Sequence, residues 1–189
     1  MYCRASVTGL DVWIQRLRIA AARPHLPPGG HVLDVGCADG ALFRRCRTRI
    51  ASGVGIDPRT GDGWVEGPYE RRCGHFPDAV GDGERFDAVV MLAVVEHLGE
   101  EEFARWAAAV PEVVVPGGRL VITTPAPVVD RILDAGIKLR LLDGMEAHQH
   151  HGFDPRRVPD IFSGPRTELE QRRRFEFGLN HLFVFSVAG

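Results

Sequence analysis

Residues 32–40, VLDVGCADG, constrain this chain most: an apolar run too short for a helix stops at Gly36, and a second glycine, Gly40, follows after three polar or small residues. His31 through Val35 reads as a strand buried on both faces, Gly36-Cys37-Ala38-Asp39-Gly40 as a sharp loop, and residues 41–50 as a helix. A strand-loop-helix unit of this kind builds a parallel sheet, and its loop opens where ligands of such sheets collect, beyond the C-terminal end of the strand. Gly36 and Gly40 admit unusual dihedrals and close approach of a ligand, while the N–H groups at the start of the next helix suit an anion such as an amino-acid carboxylate.

The pattern continues along the chain. Residues 53–56 form a second strand ending in Asp57-Pro58, and Asp57 lies 21 residues after Gly36 (57 − 36). A carboxylate about 20 residues beyond a first-strand glycine loop is placed to bind ribose hydroxyls, so an adenosine-type ligand is implied. Residues 69–73 are a weaker third strand, 86–92 the fourth and most apolar, and 119–124 the fifth, set off by Pro116-Gly117-Gly118. Phe103, Trp106 and Val110 mark one face of a helix over 100–110, and Val12, Trp13, Ile14, Leu17 and Ile19 mark a leading helix over 11–22. After Pro125 the rhythm changes. Residues 128–142 read as helical, 143–155 as a histidine-rich loop, and 157–162 as a short helix; 168–177 and 181–187 read as strands joined by a turn at Gly178-Leu179-Asn180.

Four segments, in order and spacing, resemble the class I S-adenosylmethionine-dependent methyltransferases: VLDVGCADG, residues 53–58, FDAVVMLAVVEHL at 86–98 and VPGGRLVITTP at 115–125. The resemblance implies an α/β fold, a Rossmann-like, doubly wound, mostly parallel seven-stranded sheet with an antiparallel C-terminal hairpin. It implies a single methyltransferase domain over 1–189, with a leading helix and turn (1–30), a cofactor-binding core (31–125), an acceptor-side helix and loop (126–166) and the hairpin (167–189). S-adenosylmethionine would be the cofactor and S-adenosylhomocysteine the product. By the same resemblance Asp34, Gly36, Cys37, Ala38 and Gly40 would surround the methionine part, Asp57 with Pro58 the ribose, His75 and Phe76 the adenine, and Leu92 and Ala93 the reacting end. Two departures stand out. Ala38 replaces the middle loop glycine, adding one methyl, and Gly74-His75 stands where an acidic residue often meets the adenine, with Asp78 as a substitute.

Other readings bear on the reaction. A nicotinamide-dependent oxidoreductase would need a G-x-G-x-x-G loop to seat a pyrophosphate, and Asp39 would repel it. A non-catalytic protein that keeps the cofactor pocket has the same sequence signature. His148, His150 and His151 crowd the loop over the presumed pocket mouth, where imidazole could act as a general base for an O–H or N–H acceptor; His148 and His151 are the first candidates and His97 the second. Solvated histidines or metal ligation would leave the same signature. Glu96-His97 faintly resembles the E-x-x-E-H metal element of small-RNA 3′-end methyltransferases, but Ala93 stands where the first glutamate belongs, so no metal is expected.

Composition narrows the setting. With 44% hydrophobic and 25% charged residues, the 189-residue chain is an ordinary globular sequence, and its net charge of −2 argues against a nucleic-acid partner and for a small-molecule acceptor. Cys3, Cys37, Cys46 and Cys73 form no C-x-x-C pair, which fits reduced thiols better than zinc or disulfides. The longest apolar run, residues 88–95, falls far short of the ~18 residues a membrane-spanning helix needs. Without a signal-peptide pattern the expected location is the cytoplasm.

Overall fold

Glycine- and proline-bounded apolar runs become strands, and the segments between them become covering helices. The computed structural model describes residues 9–60, 65–126 and 153–189. In chain order these form α1 (Gly9–Ala22), β1 (His31–Val35), α2 (Ala41–Cys46), β2 (Ser52–Ile56), β3 (Val65–Glu66), β4 (Tyr69–Arg72), β5 (Phe86–Leu92), α3 (Glu100–Val113), β6 (Val114–Pro125), α4 (Val158–Phe162), β7 (Thr167–Phe175) and β8 (Asn180–Val187). The sheet order is β3-β4-β2-β1-β5-β6-β8-β7. Strands β4, β2, β1, β5 and β6 run parallel, whereas β8 is antiparallel to β6 and β7 to β8. The seven expected strands are present with their antiparallel C-terminal pair, and the two-residue β3 adds an antiparallel edge beside β4.

Strand alternation divides the core. Leu33, Val35, Val89, Met91, Leu120 and Ile122 point to one face, where Phe103, Trp106 and Val110 of α3 and Val158 and Phe162 of α4 cover them. Val32, Ala88 and Val90 point to the other, against Ile19 of α1 and Leu42, Phe43 and Cys46 of α2. Asp34 follows Val32 in that alternation and so sits on the α1/α2 side of the sheet.

Three boundaries differ from the sequence pattern. Helix α2 ends at Cys46, because Arg49 turns back to donate from Nε to the Leu26 carbonyl (2.7 Å) and from Nη2 to that of Pro24 (3.0 Å). Helix α3 runs to Val113 with Pro111 in its last turn, where the missing N–H removes one ladder bond just before the helix ends. Its start is set by Glu100, Glu101 and Glu102, which suit the helix N-terminus, and by Glu102 accepting from the Gly99 N–H (2.9 Å). Strand β6 then begins at once: Val114 pairs with Phe86, and the ladder resumes at Arg119 opposite Ala88. Pro116-Gly117-Gly118 is therefore an excursion within the strand rather than a link before it, with Gly117 at φ 80°. No helix among the described residues is long and apolar enough to cross a membrane.

Candidate functional site

The chain winds outward from β1 in both directions, β2 to one side and β5 to the other, so a crevice opens beyond the C-terminal end of β1. A cavity of about 470 Å³ occupies it. Its floor is the loop after β1, its sides are the ends of β2 and β5 and the segment after β4, and α1 and α3 close over it.

Asp57 ties the floor together. Its carboxylate, 1% exposed, accepts from the Ala38 N–H (3.0 Å) and the Arg59 N–H (2.8 Å), joining the β1 loop to the end of β2. Gly36 donates to the Ile56 carbonyl (2.7 Å) at φ 76°, and a Cβ there would lie 2.5 Å from Val94 Cγ2. On β2, a Cβ at Gly55 would meet Cys37 Sγ at 2.7 Å, so the loop can pack this close only against glycine. Ala38 and Ala93 both lie in the left-handed region, at φ 44° and 56°. The alanine at 38 therefore carries a backbone cost of about 1–2 kcal/mol, not only the bulk of one methyl. Two strained alanines, one on the floor and one at a side, thus put part of the fold's backbone strain at the cavity.

Charge in the cavity is uneven. Burial, reinforced by Asp57 and then Asp39, pushes the Asp34 carboxyl up to about 8. The Cys37 thiol is pushed up to about 12, mainly by burial and then by Asp34 and Asp57, which leaves it protonated and unfit as a nucleophile. Asp34, held largely protonated, and the Asp57 carboxylate thus meet at the β1 loop, with Asp39 beside them paired to Arg44; a cationic group placed there would draw the proton off Asp34.

The structure brings Asp34, Gly36, Cys37, Ala38, Asp57, Pro58, His75, Phe76, Leu92 and Ala93 around this one cavity, together with His97. Gly40 stands apart from the lining: it caps α2 with φ 73°. The first N–H of α2, expected to face an anion, is instead taken by Asp39 Oδ1 (Ala41 N, 3.2 Å). Phe76 packs edge-on against Trp106, 5.3 Å between ring centroids. Asp78 pairs with Arg105 at the surface, away from the cavity. Glu96 and His97 lie in a single 3-10 turn, Val95–His97, rather than in a longer helix; Glu96 is buried and His97 lines the cavity. His148, His150 and His151 lie outside the described residues. Among the described residues no group of three or more His, Cys, Asp or Glu side chains is arranged to hold a metal ion.

Gln15 and Arg18 of α1 and Glu102 of α3 also line the cavity beyond the residues expected there, as does Trp106, which the sequence marks only as part of an apolar helix face. A signal existed: Gln15, Arg18 and Ile19 have the i, i+3, i+4 spacing of one helical face, with two polar residues beside an apolar one. Gln15 Nε2 reaches Asp39 Oδ1 at 3.3 Å, linking α1 to the β1 loop.

Comparison with known proteins agrees with this architecture. A family model described as a methyltransferase domain matches residues 11–171. The ubiquinone biosynthesis O-methyltransferase of Azorhizobium caulinodans is 33% identical over 105 residues, which is 51% of this chain and 40% of that protein. Its mitochondrial namesake from Mus musculus is 34% identical over 118 residues, 56% of this chain and 31% of that protein. The chain thus spans well under half the length of the curated relatives it matches. Among solved structures, the 1,6-didemethyltoxoflavin-N1-methyltransferase of Burkholderia thailandensis, with bound S-adenosylhomocysteine, shares the fold with a TM-score of 0.66 at 16% identity, over 96% of this chain and 83% of that one. The N-methyltransferase NodS of Bradyrhizobium japonicum, in complex with S-adenosylhomocysteine, gives 0.62 at 15% identity, over 98% and 91%. With the family model running over most of its length and the sheet order, glycine loop and cavity all in place, the chain belongs to the class I S-adenosylmethionine-dependent methyltransferase family.

Proposed function

We propose that this protein transfers a methyl group from S-adenosylmethionine to an O, N or C atom of a small-molecule acceptor. The observation that carries the reading is the cavity in which a glycine floor, the buried Asp57 carboxylate and the buried, largely protonated Asp34 meet. Each oxygen of Asp57 has a further lone pair beyond its contact with Ala38 or Arg59, enough for two ribose hydroxyls. Asp34 would hold the α-ammonium, and the backbone of Gly36, Cys37 and Ala38 the rest of the methionine part. His75, Phe76 and Pro58 would flank the nucleoside. Leu92 and Ala93, at the end of β5, would border the reacting centre.

When bound, the donor supplies a methyl group already activated on a sulfonium. The chain's own contribution is proximity: it holds the acceptor's nucleophile in line and keeps the end of β5 close to it. For a hydroxyl or amine acceptor a base must take the proton; His148 and His151 are the first candidates from sequence, and His97, which lines the cavity, is the second. The names of the curated relatives, ubiquinone biosynthesis O-methyltransferases, make hydroxyl acceptors the first to screen.

Titration of the wild type and Asp57→Ala with S-adenosylhomocysteine in a calorimeter tests the donor site. Binding by the wild type and its loss in the variant are expected; no binding by the wild type sinks the reading. An acceptor screen with a labelled methyl donor, repeated with His97→Ala across pH, then tests the proton acceptor, a role excluded by an unchanged profile.

A further inference from the structure

The cavity is not acidic throughout. Arg18 lies on α1, which packs on β5 and β6, and lines the cavity, yet it is not among the charges that act on Asp34. Its position is fixed by one contact, Nε to Asn180 Oδ1 (3.1 Å), and Asn180 begins β8 opposite Pro125, at the C-terminal end of β6. Asn180 in turn donates to Glu176 Oε2. Among the described residues this is the single hydrogen bond that the guanidinium makes, so the fork formed by Nη1 and Nη2 keeps four N–H donors without a described acceptor.

We propose that Arg18 anchors the carboxylate of the acceptor, which makes the substrate class a small organic acid; the proposal rests on the methyltransferase reading of the same cavity. A carboxylate matches the planar fork with two parallel N–H···O contacts. Burial lowers the pKa of the guanidinium and the acids Glu96, Glu176 and Asp11 oppose that shift, so a carboxylate is selected by the geometry of the fork rather than by a local excess of positive charge. Those same acids disfavour a doubly charged phosphate, whose second charge would face Glu96 and Glu176. The two ends of the cavity then sort the two substrates by charge, cationic donor to the β1 loop and anionic acceptor to α1.

The test uses benzoate and 4-hydroxybenzoate against benzamide and 4-hydroxybenzamide, titrated into the protein saturated with S-adenosylhomocysteine. The acids are expected to bind the wild type at least tenfold more tightly than their amides. Arg18→Gln should bring the acids down to the level of the amides while S-adenosylhomocysteine affinity stays within twofold. Arg18→Lys, which keeps the charge without the fork, should fall between them and decides the matter should the glutamine variant fail to fold. Equal binding of acid and amide by the wild type, or binding of neither, overturns the proposal, as does a preference that survives Arg18→Gln. Failure of the wild type to bind S-adenosylhomocysteine would remove the methyltransferase reading instead, and the acid–amide comparison on the ligand-free protein then decides the role of Arg18 by itself.

Discussion

Asp34→Asn tests the electrostatics of the cavity through stability alone. The Asp34 carboxyl rises from 3.8 to about 8, first through burial and then through Asp57 and Asp39. The folded protein therefore binds one more proton than the unfolded chain between about pH 4 and pH 8, and stability falls as pH rises through that window. At roughly 1.4 kcal/mol per pH unit, the ceiling between pH 5 and pH 8 is about 4 kcal/mol. The carboxyl borders an open cavity that water enters, so about half of that, roughly 2 kcal/mol, is the working value. Asparagine does not titrate and serves as a permanent stand-in for the protonated form. For a domain of this length 1 kcal/mol moves the melting temperature by about 2–4 °C. The melting temperature of the variant minus that of the wild type should therefore grow by about 4–8 °C from pH 5 to pH 8. Any packing cost of the substitution cancels in that difference, because it is independent of pH. Scanning calorimetry or fluorescence melts in matched ionic strength supply the numbers. A difference that stays flat across the window would falsify the claim that Asp34 is held protonated. A companion measurement follows the ligand: S-adenosylhomocysteine bound at pH 6 in buffers of different ionisation enthalpy should release roughly half to one proton from the wild type and close to none from the variant.

Three further substitutions have defined outcomes. Gly36→Ala should weaken S-adenosylhomocysteine binding more than tenfold, since the new Cβ meets Val94 at 2.5 Å; adding Val94→Ala should restore part of the loss, and no restoration would count against the steric account. Asp57→Ala leaves the Ala38 and Arg59 N–H groups without their acceptor and should cost about 1–3 kcal/mol in a denaturant titration, with Asp57→Asn milder because it keeps one oxygen. Phe177 is fully exposed at φ 55°, so Phe177→Asn loses no burial and relieves a left-handed strain; a melting temperature higher by about 2–4 °C is expected, and a lower one would show that the ring makes contacts worth more than the strain.

Much of this fold is legible because its signals are local. A parallel strand buried on both faces must be apolar throughout and must end where the chain turns, so VLDVG, SGVGI and FDAVVML mark β1, β2 and β5 without reference to any partner. The excursion in β6 is hidden for the opposite reason. Proline followed by two glycines reads as a link, and only pairing with β5 on both sides of it shows that the strand has already begun. The end of α2 is likewise set by a distant partner, since Arg49 is drawn to carbonyls more than twenty residues earlier in the chain.

The site divides along the same line. Gly36, Ala38 and Asp57 sit at fixed offsets from strand ends, and the strand pattern that locates the ends locates them too. What spacing cannot express is environment. The family resemblance names Asp34 among the residues around the methionine part, yet nothing in the spacing shows that its burial on the α1/α2 side, next to two other acids, pushes its carboxyl up to about 8. Ala38 reads as a small side chain, yet the property that matters is the backbone conformation that the loop imposes on it. Arg18 is the extreme case: in α1 it is one of two arginines, and Asn180, 162 residues away, receives its Nε–H and fixes the direction of its fork at the cavity. The β1 loop and Asp57 belong to strand ends and are carried by local pattern, whereas Arg18 comes from a helix packed on β5 and β6 and is oriented by a contact with the start of β8. If Arg18 anchors the acceptor as proposed, the acceptor is read from contacts between residues far apart in sequence, and only the folded molecule brings those residues together.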